Sequence, residues 1–200
     1  MKKIIEKLER EILETFGTRF LTFEEVDASI EKLAEQAKDY QPDCIVGILR
    51  HGAYVGRKLH NLLGGDYQEL HISRPCTQIG GMFLKDLVLI GKLKCFSDPA
   101  KIEVRGEFQD KNYKRILLAD EDCGTGTTLN LGKKHIQSKN PHAEIKEAVL
   151  HICKEGYTPD YFIERAVPLN RFIGRSTRFP WAVYSPYAEM YQKKLEALAI

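Results

Sequence analysis

Residues 115–129 read RILLADEDCGTGTTL, and the fold follows from how that stretch divides. Arg115 to Ala119 is a short aliphatic run of the kind that fills a buried strand. Asp120 and Glu121 follow it, and Gly124-Thr125-Gly126-Thr127-Thr128 then leads into a helix expected from about Thr127 to Ser138. In open parallel sheets ligands bind beyond the carboxyl ends of the strands, where this reading puts the acidic pair and the loop. A glycine-bearing loop that opens a helix lets free backbone N–H groups and the helix dipole face an anion closely, so phosphate is its natural occupant. The threonines add hydroxyl donors, and the two acids can accept from sugar hydroxyls or hold a hydrated magnesium ion. The stretch lacks the GxxxxGK[ST] of a Walker loop and the GxGxxG of a dinucleotide site. Either half alone reads equally well as a solvated turn with an ordinary helix start; the combination points to a phosphate site.

The same alternation extends outward on both sides. Cys44 to Leu49 (CIVGIL) is an apolar run between Pro42 and Arg50-His51-Gly52, followed by a helix from about Tyr54 to Leu63 and a strand near Tyr67 to Ile72. Ile145 to Ile152 supplies another apolar strand beyond the helix at Thr127. Strands alternating with helices predict an α/β fold with a mainly parallel sheet flanked by helices. Ahead of it, Thr-Phe-Glu-Glu at Thr22 forms a capping box with Glu25 at the third helical position, and that helix runs through Val26, Ile30 and Leu33 towards Asp39. Residues 4–16 carry a further amphipathic helix ended by Gly17, and Pro186 to Leu198 reads as a closing helix with Ser185 as N-cap and Pro186 in its first turn. From Ser73 to Tyr113 the periodicity weakens around two candidate strands, Leu87 to Leu93 and Lys101 to Phe108. So long a segment in a compact domain suggests a flexible hood with a functional role.

A chain of 200 residues with 43% hydrophobic and 29% charged residues fits one globular domain, residues 1–200. No stretch has the apolar length of a membrane span, and acidic residues interrupt the N-terminus where a signal peptide would be apolar, so a cytoplasmic protein is expected. A net charge of +2 makes nucleic acid a poor partner. Five cysteines without CxxC spacing suggest neither a disulfide framework nor a zinc site.

The stretch that opened the reading resembles the signature of the type I phosphoribosyltransferase family. That signature is four apolar residues (Ile116 to Ala119), two acids (Asp120 and Glu121), two further residues (Asp122 and Cys123) and a Gly/Thr loop (Gly124 to Thr128). Residues Thr22 to Leu63 resemble the family's opening helix, first strand and pyrophosphate loop, with Arg50-His51-Gly52 at that loop. The resemblance implies 5-phosphoribosyl 1-pyrophosphate (PRPP) as donor and Mg²⁺ as cofactor. It implies that Gly124, Thr125, Gly126, Thr127 and Thr128 hold the 5'-phosphate and that Asp120 and Glu121 serve the ribose hydroxyls and the metal, directly or through water. Arg50, His51 and Gly52 would serve the pyrophosphate. Asp120, Glu121 and Arg50 would then be the catalytic group, under a hood over about 73–113 rooted at Ser73 and Arg74.

The acceptor-base region, about 153–185, resembles the branch that handles hypoxanthine, guanine and xanthine. Lys154 stands where that branch reads a purine 6-oxygen, Pro159-Asp160-Tyr161 matches its Pro-Asp-aromatic step, and Phe172 and Ile173 stand where a ring stacks on the base and backbone groups meet its edge. Phe179-Pro180-Trp181 resembles a Pro-Trp step of its shorter members, although aromatics of this kind mostly fill cores. Three departures bear on the product. Gly124 replaces the aspartate that serves the purine N7, Asp122 replaces an apolar residue, and the hood is longer than in compact purine enzymes. Transfer to a 6-oxopurine, transfer to a non-purine acceptor, and a non-catalytic PRPP or nucleotide sensor all therefore stay open. The family's habit of pairing subunits implies a homodimer or higher homo-oligomer.

Overall fold

The computed structural model describes residues 10–11, 14–15, 17–73, 102–153, 156–165, 168–170, 174–175, 177–182 and 185–198. In chain order its elements are β1 (Arg19–Phe20), α1 (Phe23–Ala37), β2 (Cys44–Leu49), α2 (Gly52–Leu63), β3 (Asp66–Ser73), β4 (Glu103–Arg105), β5 (Arg115–Cys123), α3 (Thr127–Lys139), β6 (Glu144–Ile152) and β7 (Tyr161–Arg165), then β8 (Pro168–Asn170), β9 (Gly174–Arg175), β10 (Thr177–Arg178) and α4 (Tyr191–Glu196). Six strands form the central sheet in the order β4-β3-β2-β5-β6-β7. Its pairings are parallel except at one edge, where β4 runs antiparallel to β3. This is the α/β architecture expected, with helices on both faces.

Neighbouring residues on each strand feed opposite cores, as the pleat requires. Ile45, Leu117, Ala119 and Ala148 face α1 and α2, where Phe23, Ile30, Leu33 and Leu59 meet them. Val46, Ile116, Leu118 and Val149 face the other way, against Leu129 and Ile136 of α3. Fully burying each such Leu or Ile contributes roughly 1.5–3 kcal/mol relative to leaving it exposed. The capping box at α1 forms as expected: Glu25 N donates to Thr22 Oγ1 at 3.2 Å and Thr22 N donates to Glu25 Oε2 at 2.9 Å. Removing that cap by Thr22→Ala costs about 0.5–2 kcal/mol on general grounds.

Several expected boundaries move. α2 starts at Gly52 rather than Tyr54, β3 spans Asp66–Ser73, and β5 continues to Cys123, so Asp120 and Glu121 lie inside the strand instead of beyond it. The extension is made by the ladder to β6, which pairs Asp120 with Val149, Asp122 with His151 and Cys123 with Ile152. The strand expected over Lys101 to Phe108 shortens to Glu103–Arg105. The closing helix begins late because Ser185 makes a turn: its Oγ accepts from Tyr187 N at 3.1 Å and its carbonyl from Ala188 N at 3.2 Å. These short-range bonds wind Ala188–Met190 as a 3₁₀ turn before α4. Residues 10–11 and 14–15 are helical. The rest of the expected N-terminal helix, the strand expected at Leu87 to Leu93, and Arg74, Lys154, Phe172 and Ile173 lie outside the described residues.

Candidate active site

The acidic pair is set by the main chain of β5. Asp120 is 8% exposed, and its Oδ1 accepts from Glu121 N at 2.9 Å. The first turn of α2 comes so close that a Cβ on Gly52 would stand 2.8 Å from Asp120 Oδ1 and 3.0 Å from the Ala119 carbonyl oxygen. Only glycine lets the positive end of that helix sit against the two acids. One residue earlier, His51 Nδ1 lies 3.3 Å from Glu121 Oε1. Arg50 is exposed beside it, after a cis Leu49–Arg50 peptide. Arg50, His51, Gly52, Asp120 and Glu121, 70 positions apart along the chain at the His51–Glu121 contact, are thereby brought together.

Burial pushes the Asp120 carboxyl well above its usual range, and the neighbouring Glu121 charge pushes it the same way. Burial acts on Glu121 as well, but hydrogen bonds from Asp120 and His51 outweigh it and hold that carboxyl below its usual range. Of the two, Asp120 is the carboxyl more readily protonated and Glu121 the more readily ionised. Among the described residues no three His, Cys, Asp or Glu side chains gather as a metal cage. Two carboxylates suit magnesium, which is usually held by one or two carboxylates, several waters and substrate oxygens.

The Gly/Thr loop turns where Gly126 adopts φ +73°, as N-cap of α3. No side chain caps that helix, which leaves its first-turn amides to the loop concavity. Thr125 and Thr127 share a hydroxyl hydrogen bond of 2.8 Å. A Cβ on Gly126 would collide with the Tyr157 ring, which packs against the turn while its hydroxyl donates to Glu147 Oε2 at 2.6 Å. Glu147 is buried on β6, its Oε1 has no hydrogen-bond partner among the described residues, and burial raises its carboxyl. At Gly124, by contrast, a Cβ would meet nothing within 4 Å.

On the neighbouring strand end Cys153 Sγ hydrogen-bonds Asp122 Oδ1, and Cys153 N donates to the Cys123 carbonyl at 2.7 Å. Asp122 is therefore engaged at the end of β6 where the acceptor region begins. Ser73 closes β3, paired with Glu103. Phe179 and Trp181 are buried and stacked on one another at 5.2 Å between ring centroids, and so fill the core beside the site. Sequence reasoning missed Tyr157, Glu147 and Tyr191. Tyr157 stands two residues before Pro159 with no periodic signal, and the other two sit in regular elements without a motif.

A parallel sheet that gathers an acidic strand end, a glycine-capped helix start and a basic loop defines a class: the chain belongs to the phosphoribosyl transferase domain family, which matches residues 19–184. Among solved structures it is similar to a purine phosphoribosyltransferase from Pyrococcus horikoshii, with 25% identity over 82% of this chain and 94% of that one, at a TM-score of 0.56. It is also similar to a xanthine-guanine-hypoxanthine phosphoribosyltransferase from Helicobacter pylori, with 16% identity, 90% and 99% coverage and a TM-score of 0.61. A Neisseria gonorrhoeae protein with bound ppGpp matches at 17% identity, 90% and 97% coverage and a TM-score of 0.52. No curated protein matches the chain. Among the described residues no helix is long and apolar enough to cross a membrane.

Proposed function

We propose that the protein transfers the 5-phosphoribosyl group of PRPP to a 6-oxopurine, giving a nucleoside 5'-monophosphate and pyrophosphate. The observation that carries this reading is the convergence of Arg50-His51-Gly52 on Asp120 and Glu121, next to a phosphate-ready turn capped by Gly126. In this assignment Gly124 to Thr128 receive the 5'-phosphate, Asp120 and Glu121 the ribose hydroxyls, and Arg50, His51 and Gly52 the pyrophosphate. Ser73 and Arg74 root the hood, Lys154 reads the 6-oxygen, Phe172 stacks on the base and Ile173 offers backbone groups to its edge. Loss of pyrophosphate leaves positive charge on the ribose and negative charge on the leaving group. Glu121, ionised and beside the ribose, favours the first; the Arg50 guanidinium favours the second. Asp120 and Glu121 are the residues that would hold Mg²⁺, which when bound supplies charge neutralisation at the pyrophosphate.

The P. horikoshii and H. pylori enzymes, both named for purine substrates, support the acceptor class. One observation favours a second reading, a PRPP or nucleotide sensor without turnover: position 124, where a Cβ would meet none of the described residues within 4 Å, carries no carboxylate. The N. gonorrhoeae protein shows a nucleotide bound in a chain of this fold.

A mass assay with magnesium, PRPP and a panel of hypoxanthine, guanine, xanthine, adenine, uracil and orotate separates the readings. Monophosphates from the first three bases are expected. Product from uracil or orotate alone would move the acceptor to a non-purine base, and calorimetric binding of PRPP or nucleotide without product from any base would establish the sensor.

A further inference from the structure

The C-terminal segment reaches back to the loop between β2 and α2. Tyr191 Oη donates to the Arg50 carbonyl oxygen at 3.0 Å, across a sequence separation of 141. Its ring stands edge-on to His51 at 5.5 Å, and Trp181 stacks on His51 at 5.8 Å. With Glu121 on Nδ1, the imidazole is held on three sides. Both clamping residues are themselves fixed. Trp181 packs on Phe23, Tyr54 and Phe179, and the helix that Tyr191 opens is moored by Arg57 Nη1 donating to the Leu195 carbonyl at 3.2 Å and by Lys194 against Glu24 at 3.7 Å.

A peptide unit is planar, so fixing its carbonyl fixes the N–H on its far side. The Arg50 carbonyl also accepts from Ala53 N at 3.3 Å, a long bond that ties it only to the first turn of α2. Tyr191 adds a shorter bond from a separate element, and the unit so held runs from Arg50 to His51. A loop that must present charge and N–H groups to a leaving group gains from being set before the ligand arrives.

We infer that Tyr191, supported by Trp181, is a positioning residue that presets the Arg50–His51 peptide for the pyrophosphate end of the donor. The inference rests on the donor assignment of that loop. Burial pushes the Tyr191 hydroxyl up to about 12, so it remains a donor at neutral pH.

Tyr191→Phe in the full-length protein removes the hydroxyl and keeps the ring. It should weaken PRPP, read as KM, and inorganic pyrophosphate, read as Ki, by about 2- to 10-fold, the range of a single net hydrogen bond. The melting temperature should fall by only about 1–6 °C, the direct cost of one lost internal hydrogen bond, while the KM of the base and the Ki of the product 5'-monophosphate should stay at wild-type values, since neither uses the pyrophosphate loop. Trp181→Phe, which keeps a ring but shrinks the stacking surface, should shift the same two constants in the same direction. Unchanged pyrophosphate inhibition in Tyr191→Phe would overturn the inference, as would equal weakening of pyrophosphate and monophosphate. If the wild-type protein binds neither PRPP nor pyrophosphate, the donor assignment fails first and the inference falls with it.

Discussion

Replacing Gly126 and Gly124 by alanine, one at a time, asks the Gly/Thr loop two different questions. At Gly126 the backbone has φ +73°, and a new Cβ would also collide with the Tyr157 ring. The left-handed conformation costs an L-residue about 1–2 kcal/mol, and forcing a methyl group into a packed contact adds about 1–3 kcal/mol. The sum is roughly 2–5 kcal/mol, which for a chain of this length lowers the melting temperature by about 4–20 °C. Tyr157 cannot swing aside without giving up its hydroxyl bond to the buried Glu147, so relaxation recovers little of the loss. Gly124 has no positive φ and open space around it, and alanine there should be neutral or stabilising by about 0.4–1 kcal/mol through a stiffer unfolded chain. Thermal and urea melts of the two variants beside the wild type measure the difference. Indistinguishable melts would refute the reasoning, because they would mean that the Tyr157 contact does not constrain the turn.

Asp120→Asn combined with Glu121→Gln should lower turnover with PRPP by about 100-fold or more, the scale of losing an electrostatic partner of the transition state. Its melting temperature should stay near the wild-type value, because the amide at 120 removes the burial cost of a charge there while Glu121→Gln gives up the carboxylate partner of His51; initial rates and melts check both halves. Gly124→Asp introduces a carboxylate into open space, and with a 6-oxopurine acceptor it should raise turnover by about 10-fold or more through general-base assistance; a flat or lower rate with every purine would count against that acceptor. Glu147→Gln should flatten the dependence of stability on pH. With its carboxyl raised by burial in the folded protein, the contribution of Glu147 is fully present below the ordinary value of 4.5 and is lost as pH rises through the raised folded value. The variant should therefore be more stable than wild type at neutral pH and should lose that advantage in acid, as followed by denaturant midpoints across pH 4 to 8.

The elements legible in the sequence are those whose signals are local. The α1 capping box needs four adjacent residues, and the CIVGIL and RILLA runs are bounded by turn formers, so their burial follows from composition. The reach of β5 to Cys123 was not legible, because acids are poor strand formers in isolation and only the ladder to β6 holds them extended. β7 carries charge at its C-terminal end, Glu164 and Arg165, and gave no periodic signal, so its place at the sheet edge comes from pairing with β6. Within the site, the strand-end position pointed to Asp120 and Glu121 and the resemblance to the Arg50 loop, while their approach depends on Gly52 meeting β5. Tyr191 could not be found because its partner is 141 positions away and the bond goes to backbone, which carries no residue code.

The order of three adjacent strands has a geometric consequence. β2, β5 and β6 lie side by side, and on the proposed assignment they lead into the leaving-group loop, the ribose acids and the acceptor region in turn. Parallel neighbours are about 4.8 Å apart, so the first and third stand about 10 Å from each other. Displacement at a sugar carbon needs the incoming nitrogen and the departing oxygen on opposite sides of the atom under attack. A donor laid across the strands meets that condition through strand spacing, and the trajectory of the reaction is then drawn by the sheet before either substrate arrives.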